Sequence, residues 1–160
     1  MSKIRCFIGL GSNLDNPLAH VSTALKELAT IDHCELVSQS SLYRSAPVGP
    51  QDQPDFVNAV AELATTLEAH QLLDELQHLE QRHQRVRERH WGPRTLDLDL
   101  LLYGVDVIAT QRLTVPHAYL HERNFVLYPL AEIDPNLDIP NLGSISELLA
   151  TCPMGSLTKL

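Results

Sequence analysis

The sequence predicts an α+β fold of the ferredoxin-like class: a mainly antiparallel sheet covered by helices, with long active-site loops. The main observation is the order of predicted elements, which is strand, helix, strand, strand, helix, strand. Apolar residues make up 44% and charged residues 20%, which is typical of a globular protein and excludes a disordered or collagen-like chain. At 160 residues the chain is expected to form one domain over residues 1–160.

Three predicted strands and one helix occupy the first half of the chain. A short apolar run predicts a strand over residues 4–10, which ends in a tight turn at Gly9–Gly11. Apolar residues at steps of three and four predict a helix from Pro17 to about Thr30. Alternation predicts strands over residues 35–43 and 56–65. The apolar face of the helix is expected to consist of Leu18, Val21, Leu25 and Leu28.

The second half contains a helix from His70 to about Val86, a strand over residues 95–103 and a helix over residues 123–133. Two long loops, residues 44–54 and the arginine-rich stretch that ends at Arg94, are interrupted by Gly and Pro. Long ordered loops of this kind often bind ligands. The pattern after Pro140 predicts little. We expect surface positions for the helical histidines, which are His70, His78 and His83.

Charge is distributed unevenly along this acidic chain. The net charge is −8, which argues against a general nucleic-acid-binding surface. Residues 82–94 nevertheless contain five arginines and one glutamate, so this stretch is +4 and the remainder is −12. A cationic stretch in an anionic protein predicts a local anion-binding site.

Neither a membrane span nor a cysteine-based site is predicted. No uncharged apolar run approaches the roughly 18 residues that a membrane helix needs. The three cysteines (Cys6, Cys34 and Cys152) are odd in number and lack C-x-x-C spacing, which disfavours a disulfide framework or a zinc site. We therefore expect a cytoplasmic protein without membrane or nucleic-acid partners.

The strongest local signal is the pair Asp97 and Asp99 in the predicted strand. Residues at positions i and i+2 share one face of a strand, so both carboxylates project together. Mg²⁺ commonly takes one or two carboxylates together with waters and substrate phosphates. Because arginines lie close by in the sequence, the pair predicts a metal and phosphate site rather than a solvated acidic face. The opposite face is expected to bury Leu96, Leu98, Leu100 and Leu102.

Arginine side chains are the candidate phosphate ligands. The planar guanidinium suits bidentate phosphate contacts, which makes Arg85, Arg87 and Arg94 plausible clamps. Trp91, the only tryptophan, either stacks on a flat ligand or fixes its loop. His117 follows a proline turn near basic residues and is favoured as a phosphate contact. Neither a P-loop nor a complete G-x-G-x-x-G nucleotide motif is present.

Four segments resemble, in the same order, those of the 6-hydroxymethyl-7,8-dihydropterin pyrophosphokinases of folate biosynthesis. The most specific is residues 90–101, HWGPRTLDLDLL. The others are GSNL at residues 11–14, YRSAPVGPQDQPDFVN at residues 43–58 and LTVPH at residues 113–117. The likeness spans roughly residues 4–133. It implies an enzyme, usually a monomer, that moves diphosphate from ATP to the hydroxymethyl group of 6-hydroxymethyl-7,8-dihydropterin and releases AMP.

The resemblance also implies a role for each matching residue. Catalysis would depend on Arg85, Arg94, Asp97 and Asp99, with both aspartates on two Mg²⁺ ions. ATP would be bound by Gln77, Glu80, Arg87, Leu100, Arg112, Thr114, His117 and Arg123. The pterin would be bound by Ser45, Val48, Phe56, Asn58, Trp91 and Phe125. Phe56 and Phe125 are suited to sandwich a planar heterocycle whose edge bonds to Asn58.

Two other functions are considered. A metal-dependent hydrolase or nuclease would use the same aspartates to activate water, but two carboxylates are few and no candidate base lies in the motif. An RNA-binding module on a ferredoxin-like sheet would need exposed aromatic residues and a basic face. Aromatic residues are only 5% of the chain and the net charge is −8, which disfavours this class.

Overall fold

A computed structural model describes residues 2–14, 16–46, 53–83 and 95–160. Six strands form the main sheet: β1 (Ile4–Ser12), β2 (Cys34–Gln39), β3 (Tyr43–Ser45), β4 (Phe56–Thr65), β5 (Asp97–Tyr103) and β10 (Thr158–Lys159). Two short hairpins are β6 (Ile108–Ala109) with β7 (Thr114–Val115), and β8 (Asp138–Ile139) with β9 (Gly143–Ser144). The helices are α1 (Pro17–Leu28), α2 (Ala69–Arg82), α3 (Asn124–Ile133) and α4 (Ile145–Ala150), with a 3₁₀ turn at Leu120–Glu122.

All pairings in the main sheet are antiparallel, in the order β10-β3-β4-β1-β5. Strand β2 pairs with β4 beside β3, at the other end of β4. The β1-α1-β2/β3-β4-α2-β5 connectivity confirms the predicted α+β, ferredoxin-like arrangement. Within the described parts of the chain, no helix combines the length and apolar character needed to cross a membrane.

Helices cover both faces of the sheet unequally. Helices α1 and α2 pack on one face, in a core that includes Leu25, Leu76 and Leu98. Helices α3 and α4 pack on the other face, around Phe7, Leu101 and related residues. They cover only part of this second face, so the ends of β1, β4 and β5 near Ser12, Phe56 and Asp97 remain open to a cleft.

Local sequence explains where α2 begins. The side chain of Glu68 accepts a hydrogen bond from the backbone N–H of Gln71, and the Gln71 side chain accepts one from the N–H of Glu68. This reciprocal capping satisfies N–H groups that the first helical turn leaves unpaired. Four leucines then face the sheet, namely Leu72, Leu73, Leu76 and Leu79. The predicted helix is confirmed to Arg82, and Val86 lies outside the described residues.

Two predicted elements need correction in the first half of the chain. Leu18, expected on the buried face of α1, is 49% exposed, because the buried stripe begins at Val21. The strand predicted over residues 35–43 is divided into β2 and β3. The division occurs at Ser40. Its hydroxyl accepts a hydrogen bond from the backbone N–H of Val60, in the place of a backbone carbonyl in the strand pairing.

A bulge in β5 changes the face of one predicted core residue. Phe7 pairs with Leu102 and Ile8 with Leu100, which leaves Leu101 as the extra residue on β5. Leu101 and Leu102 therefore both join the core beneath α3, whereas Leu102 was expected with Leu98 on the other face. The prediction for Leu102 was wrong because a bulge interrupts the period of two.

The predicted surface position of His83 is also wrong. Its side chain is only 8% exposed. One ring nitrogen of His83 lies 2.5 Å from a carboxylate oxygen of Glu27, and the other lies 2.6 Å from a ring nitrogen of His20. The His83 side chain therefore joins the end of α2 to α1. An amphipathic pattern within one helix cannot reveal this partner, because α1 supplies it.

Candidate active site

The two aspartates lie on the open part of the sheet. Asp97 and Asp99 are both half-buried, whereas Leu98 between them is buried against the opposite core. Asp97 pairs with Gly11 on β1 and Asp99 pairs with Gly9. Paired residues in an antiparallel sheet share a face, so both carboxylates stand beside positions that have no side chain. The predicted common face of Asp97 and Asp99 is confirmed.

Gly9 and Gly11 form the floor of the site, which sequence analysis missed. The predicted tight turn at Gly9–Gly11 is wrong, since both glycines lie within β1. A Cβ atom at Gly11 would lie 3.2 Å from Nδ2 of Asn58, and one at Gly9 would lie 3.3 Å from a methyl carbon of Leu101. A glycine inside a strand often marks close approach of a ligand or another chain segment, which is the available sequence signal.

A row of three paired residues crosses the sheet at this level. Gly11 pairs with Asp97 on β5 and with Asn58 on β4. Adjacent strands are about 4.8 Å apart, so the backbones of β4 and β5 are roughly 10 Å apart here. Gly11 places no side chain in this interval, and the Asn58 amide and the Phe56 ring extend toward it.

The cleft above this row has a volume of about 520 Å³. Eleven of the predicted site residues line it: Ser45, Phe56, Asn58, Asp97, Asp99, Leu100, Arg112, Thr114, His117, Arg123 and Phe125. Among the lining residues that sequence analysis did not assign to the site are Gly9, Gly11, Leu73 and Tyr119. Leu73 and Tyr119 carry no distinctive local pattern, because tertiary packing alone brings them to the cleft.

One side of the cleft combines aromatic rings with a fixed amide. Phe56 and Phe125 are half-buried lining residues from β4 and α3. The hydroxyl of Ser45 donates to Oδ1 of Asn58 at 2.5 Å, and both residues are buried. This bond orients the Asn58 amide so that its Nδ2 atom lies toward Gly11. The arrangement suits a flat heterocycle with polar edges.

Basic residues occupy the side of the cleft beyond β5. The backbone N–H of His117 donates to the carbonyl of Leu101 at 3.1 Å, which places the 114–117 segment along the outer edge of β5. The Arg123 guanidinium lies 5.7 Å from the Tyr119 ring and 5.6 Å from the Phe125 ring. Arg112 donates to Asp74 at 2.6 Å and to Gln77 at 3.3 Å.

The environment of His117 favours its neutral imidazole form. Burial lowers its pKa below the ordinary value of 6.5, Asp99 opposes that change, and Arg123 reinforces it. Its Nδ1 atom is buried and has no hydrogen-bond partner among the described residues. A buried imidazole nitrogen beside the cleft is suited to bond with a polar ligand atom.

Gln77 and Glu80 lie behind the cleft rather than in its described wall. The side chain of Gln77 accepts from Arg112. Glu80 is buried, and its carboxylate accepts the N–H of Leu98 at 2.8 Å. Through these bonds α2 supports one arginine and the strand that carries the two aspartates.

Five predicted site residues lie outside the described residues. They are Val48, Arg85, Arg87, Trp91 and Arg94. Most of the two predicted active-site loops also lies there. The roles inferred for these residues stay predictions.

The donor set fits Mg²⁺ on chemical grounds. Within the described ranges, no group of three or more His, Cys, Asp or Glu side chains is arranged to hold a metal ion. Asp97 and Asp99 instead offer carboxylate oxygens in the wall of the cleft. Mg²⁺ usually retains waters and binds through one or two carboxylates plus substrate phosphates, so two carboxylates at a phosphate site are sufficient.

Comparisons with known proteins show which family this chain resembles. Residues 7–135 match the family model described as 7,8-dihydro-6-hydroxymethylpterin-pyrophosphokinase. The chain is 51% identical over 146 residues to a 2-amino-4-hydroxy-6-hydroxymethyldihydropteridine pyrophosphokinase of Haemophilus influenzae, covering 91% of each chain. It is 47% identical over 156 residues to the Pseudomonas aeruginosa protein of the same name, covering 98% of this chain and 96% of that one.

A solved structure shows the same fold. The Plasmodium falciparum HPPK-DHPS S436F/A437G/A613T triple mutant matches 93% of this chain with a TM-score of 0.75 at 14% identity. The match spans 43% of that longer chain. With the family match and these relatives, the chain belongs to the 7,8-dihydro-6-hydroxymethylpterin-pyrophosphokinase family and is a transferase of folate biosynthesis.

Proposed function

We propose that this protein transfers the β,γ-diphosphate of ATP to the hydroxymethyl oxygen of 6-hydroxymethyl-7,8-dihydropterin. The alcohol oxygen forms a bond to the β-phosphorus, the bond from that phosphorus to the α,β-bridging oxygen breaks, and AMP leaves. The alcohol proton passes to solvent. Two Mg²⁺ ions and an arginine clamp complete the proposed site.

The row Asp97–Gly11–Asn58 is the observation that carries this proposal. It joins a carboxylate, a glycine and an oriented amide across three strands. The aromatic residues lie on the β4 side, and His117 lies along the opposite edge of β5. A flat pterin and a polyphosphate can therefore meet above the two aspartates.

The pterin side would be recognised by ring stacking and by the fixed amide. Phe56 and Phe125 would contact the ring faces, while Asn58, oriented by Ser45, would bond to a ring edge. A preoriented amide loses little rotational freedom on binding, which favours affinity. Val48 and Trp91 are proposed for the same subsite from the family resemblance.

The ATP side would be held by basic and polar groups. We assign Arg112, Thr114, His117 and Arg123 to nucleotide contacts, together with Leu100 and, by resemblance, Arg87. For Gln77 and Glu80 the observed bonds favour indirect roles, behind Arg112 and β5. Arg85 and Arg94 are proposed to stabilise charge on the transferring phosphates, because guanidinium stays protonated and acts electrostatically.

Asp97 and Asp99 would hold the Mg²⁺ ions. When bound, these ions would neutralise phosphate charge and brace the attacking and leaving oxygens. The carboxylates are suited to this task because Leu98 fixes the strand on its other face and Glu80 holds its backbone. A preorganised site requires such support.

We also propose that residues 1–160 act as one domain. The sheet that begins with β1 includes β10, formed by Thr158 and Lys159. The two ends of the chain thus belong to one hydrogen-bonded sheet.

The decisive experiment follows AMP release with ATP, Mg²⁺ and the dihydropterin alcohol. We expect stoichiometric AMP and pterin diphosphate, and no ATP consumption when the pterin is omitted. Formation of ADP and phosphate without pterin would indicate a hydrolase and overturn the proposal. A pterin analogue with a methyl in place of the hydroxymethyl group serves as a control that can bind but offers no attacking oxygen.

A further inference from the structure

The C-terminal segment, defined here as residues 152–160, lies outside the part of the chain that matches the family model. It includes β10 and ends the described chain. Its sequence pattern predicts no role. Two separate attachments nevertheless connect it to elements that carry cleft residues.

The first attachment is to β3. Thr158 pairs with Arg44, Lys159 pairs with Tyr43, and the N–H of Leu160 donates to the carbonyl of Leu42 at 2.9 Å. Strand β3 has only three residues, and its last, Ser45, orients Asn58. Without β10, β3 would be a very short edge strand, and such edges are held weakly.

The second attachment is to the start of α3. The side-chain amide of Asn124 donates to the carbonyl of Met154 at 2.9 Å and to that of Pro153 at 3.4 Å. Asn124 lies between Arg123 and Phe125, which both line the active-site cleft. One turn later, the hydroxyl of Tyr128 donates to the carbonyl of Cys152 at 2.9 Å.

A second cleft separates these two attachments. Its volume is about 490 Å³, and the C-terminal segment contributes Cys152, Pro153, Ser156 and Leu157 to its wall. Five residues line both clefts: Ser45, Ala46, Tyr119, Arg123 and Phe125. These five residues therefore adjoin both the active-site cleft and the cleft that the C-terminal segment helps to line. Attachments at β3 and at the start of α3 hold the elements that carry Ser45 and Phe125.

We propose that the C-terminal segment is a positioning element for the pterin subsite. It holds Ser45 through β3 and Phe125 through Asn124, and thereby fixes the distance between the amide and the aromatic ring that receive the heterocycle. The inference rests on the proposed function, because it assumes that this side of the cleft binds the pterin.

The test compares wild type with deletion of residues 158–160 and with Asn124→Ala. Binding of 6-hydroxymethyl-7,8-dihydropterin is measured calorimetrically with a nonhydrolysable ATP analogue and Mg²⁺ present, and binding of the analogue is measured alone. Loss of one neutral hydrogen bond corresponds to a factor of about 2 to 12 in affinity. We expect each variant to raise the pterin Kd and KM by about fivefold or more. The Kd for the analogue should stay within about twofold of wild type after the deletion, and in Asn124→Ala it should rise less than the pterin Kd, because Arg123 beside it is assigned to the nucleotide.

Asn136→Ala is the matched control, since Asn136 is exposed in the turn after α3 and its side chain takes no part in either attachment. Thermal unfolding of each variant separates loss of the fold from loss of the subsite. Unchanged pterin binding in both folded variants would overturn the inference while leaving the proposed function intact. Equal weakening of both substrates would also overturn it, since that result indicates general destabilisation. Failure of the wild type to release AMP would instead refute the proposed function.

Discussion

The carboxylate of Glu80 on α2 accepts the backbone N–H of Leu98 at 2.8 Å. Leu98 separates Asp97 from Asp99 in β5, which is the edge strand of the main sheet on that side. An edge strand leaves N–H groups without a neighbouring strand, and a buried donor without a partner is costly. Glu80 therefore completes the hydrogen bonding of the strand that carries the candidate metal ligands.

Replacing Glu80 by Ala is expected to impair both stability and catalysis. Leaving the Leu98 N–H unpaired should lower the free energy of unfolding by about 1–3 kcal/mol. A displacement of the aspartates by about 1 Å lowers turnover on the order of 100-fold, and a higher Mg²⁺ concentration should be needed for half-maximal rate. Glu80→Gln retains an acceptor oxygen and should be much closer to wild type. Glu75→Ala removes a carboxylate from the same helix, at a position near Cys34, and provides a control. Wild-type Mg²⁺ dependence in Glu80→Ala would contradict this role.

Gly11→Ala is expected to obstruct pterin binding. The new Cβ would lie 3.2 Å from Nδ2 of Asn58 and 3.7 Å from Phe56. Asn58 is held by Ser45, so it cannot easily move aside. We expect the pterin KM to rise about tenfold with little loss of thermal stability, because uniform binding loss appears in KM.

Gly9→Ala provides a contrast to that variant. Its Cβ would lie 3.3 Å from the buried side chain of Leu101, so the strain falls mainly on the core. Overpacking of this kind costs about 1–3 kcal/mol, measurable by urea unfolding. If Gly11→Ala lowered stability more than Gly9→Ala, the assignment of Gly11 to an open cleft floor would be wrong.

The Asp97→Asn and Asp99→Asn variants are expected to lose turnover by a factor on the order of 100 or more, because each removes one negative charge from the proposed site for metal-bound phosphate. The fold should persist, since the core packs on the opposite face of β5. EDTA should abolish AMP release by the wild type, and added Mg²⁺ should restore it. Asp106→Asn, an exposed change in the turn after β5, is the control and should retain wild-type activity. Near-normal turnover by either active-site variant would remove that aspartate from the proposed metal site.

Glu132 is expected to make the stability of the protein depend on pH. Burial alone raises the pKa of this carboxyl, but bonds from the Tyr43 hydroxyl and from the hydroxyl and backbone N–H of Ser41 outweigh burial and lower it below 4.5. A carboxylate whose pKa is lowered by folding stabilises the protein at pH values above the ordinary glutamate pKa. That contribution is lost as the pH falls through the folded-state pKa.

Glu132→Gln should therefore be less stable than wild type by up to about 1 kcal/mol at pH 7, because solvent reaches this partly exposed carboxyl and screens its bonds. The difference should shrink as the pH falls below the ordinary glutamate pKa and through the lowered folded-state pKa, where the wild-type carboxyl gains its proton. Urea unfolding at a series of pH values measures the difference. Parallel stability curves for the two proteins would exclude this contribution.

Local sequence determined the individual elements well. Strand β4 has the predicted bounds of residues 56–65, because its alternation depends only on near neighbours in the chain. The common face of Asp97 and Asp99 follows from the same period of two, and eleven predicted site residues line one cleft.

The tertiary structure decided features that depend on distant partners. The bulge at Leu101 arises in pairing with β1 and moves Leu102 to the other face. The need for glycine at Gly11 comes from Asn58, 47 positions later in the chain. The C-terminal strand β10 has only two residues and forms because β3 offers it an edge. A residue pattern records what lies beside it along the chain, whereas strand register, clearance across a sheet and edge pairing are set by segments that only folding brings together.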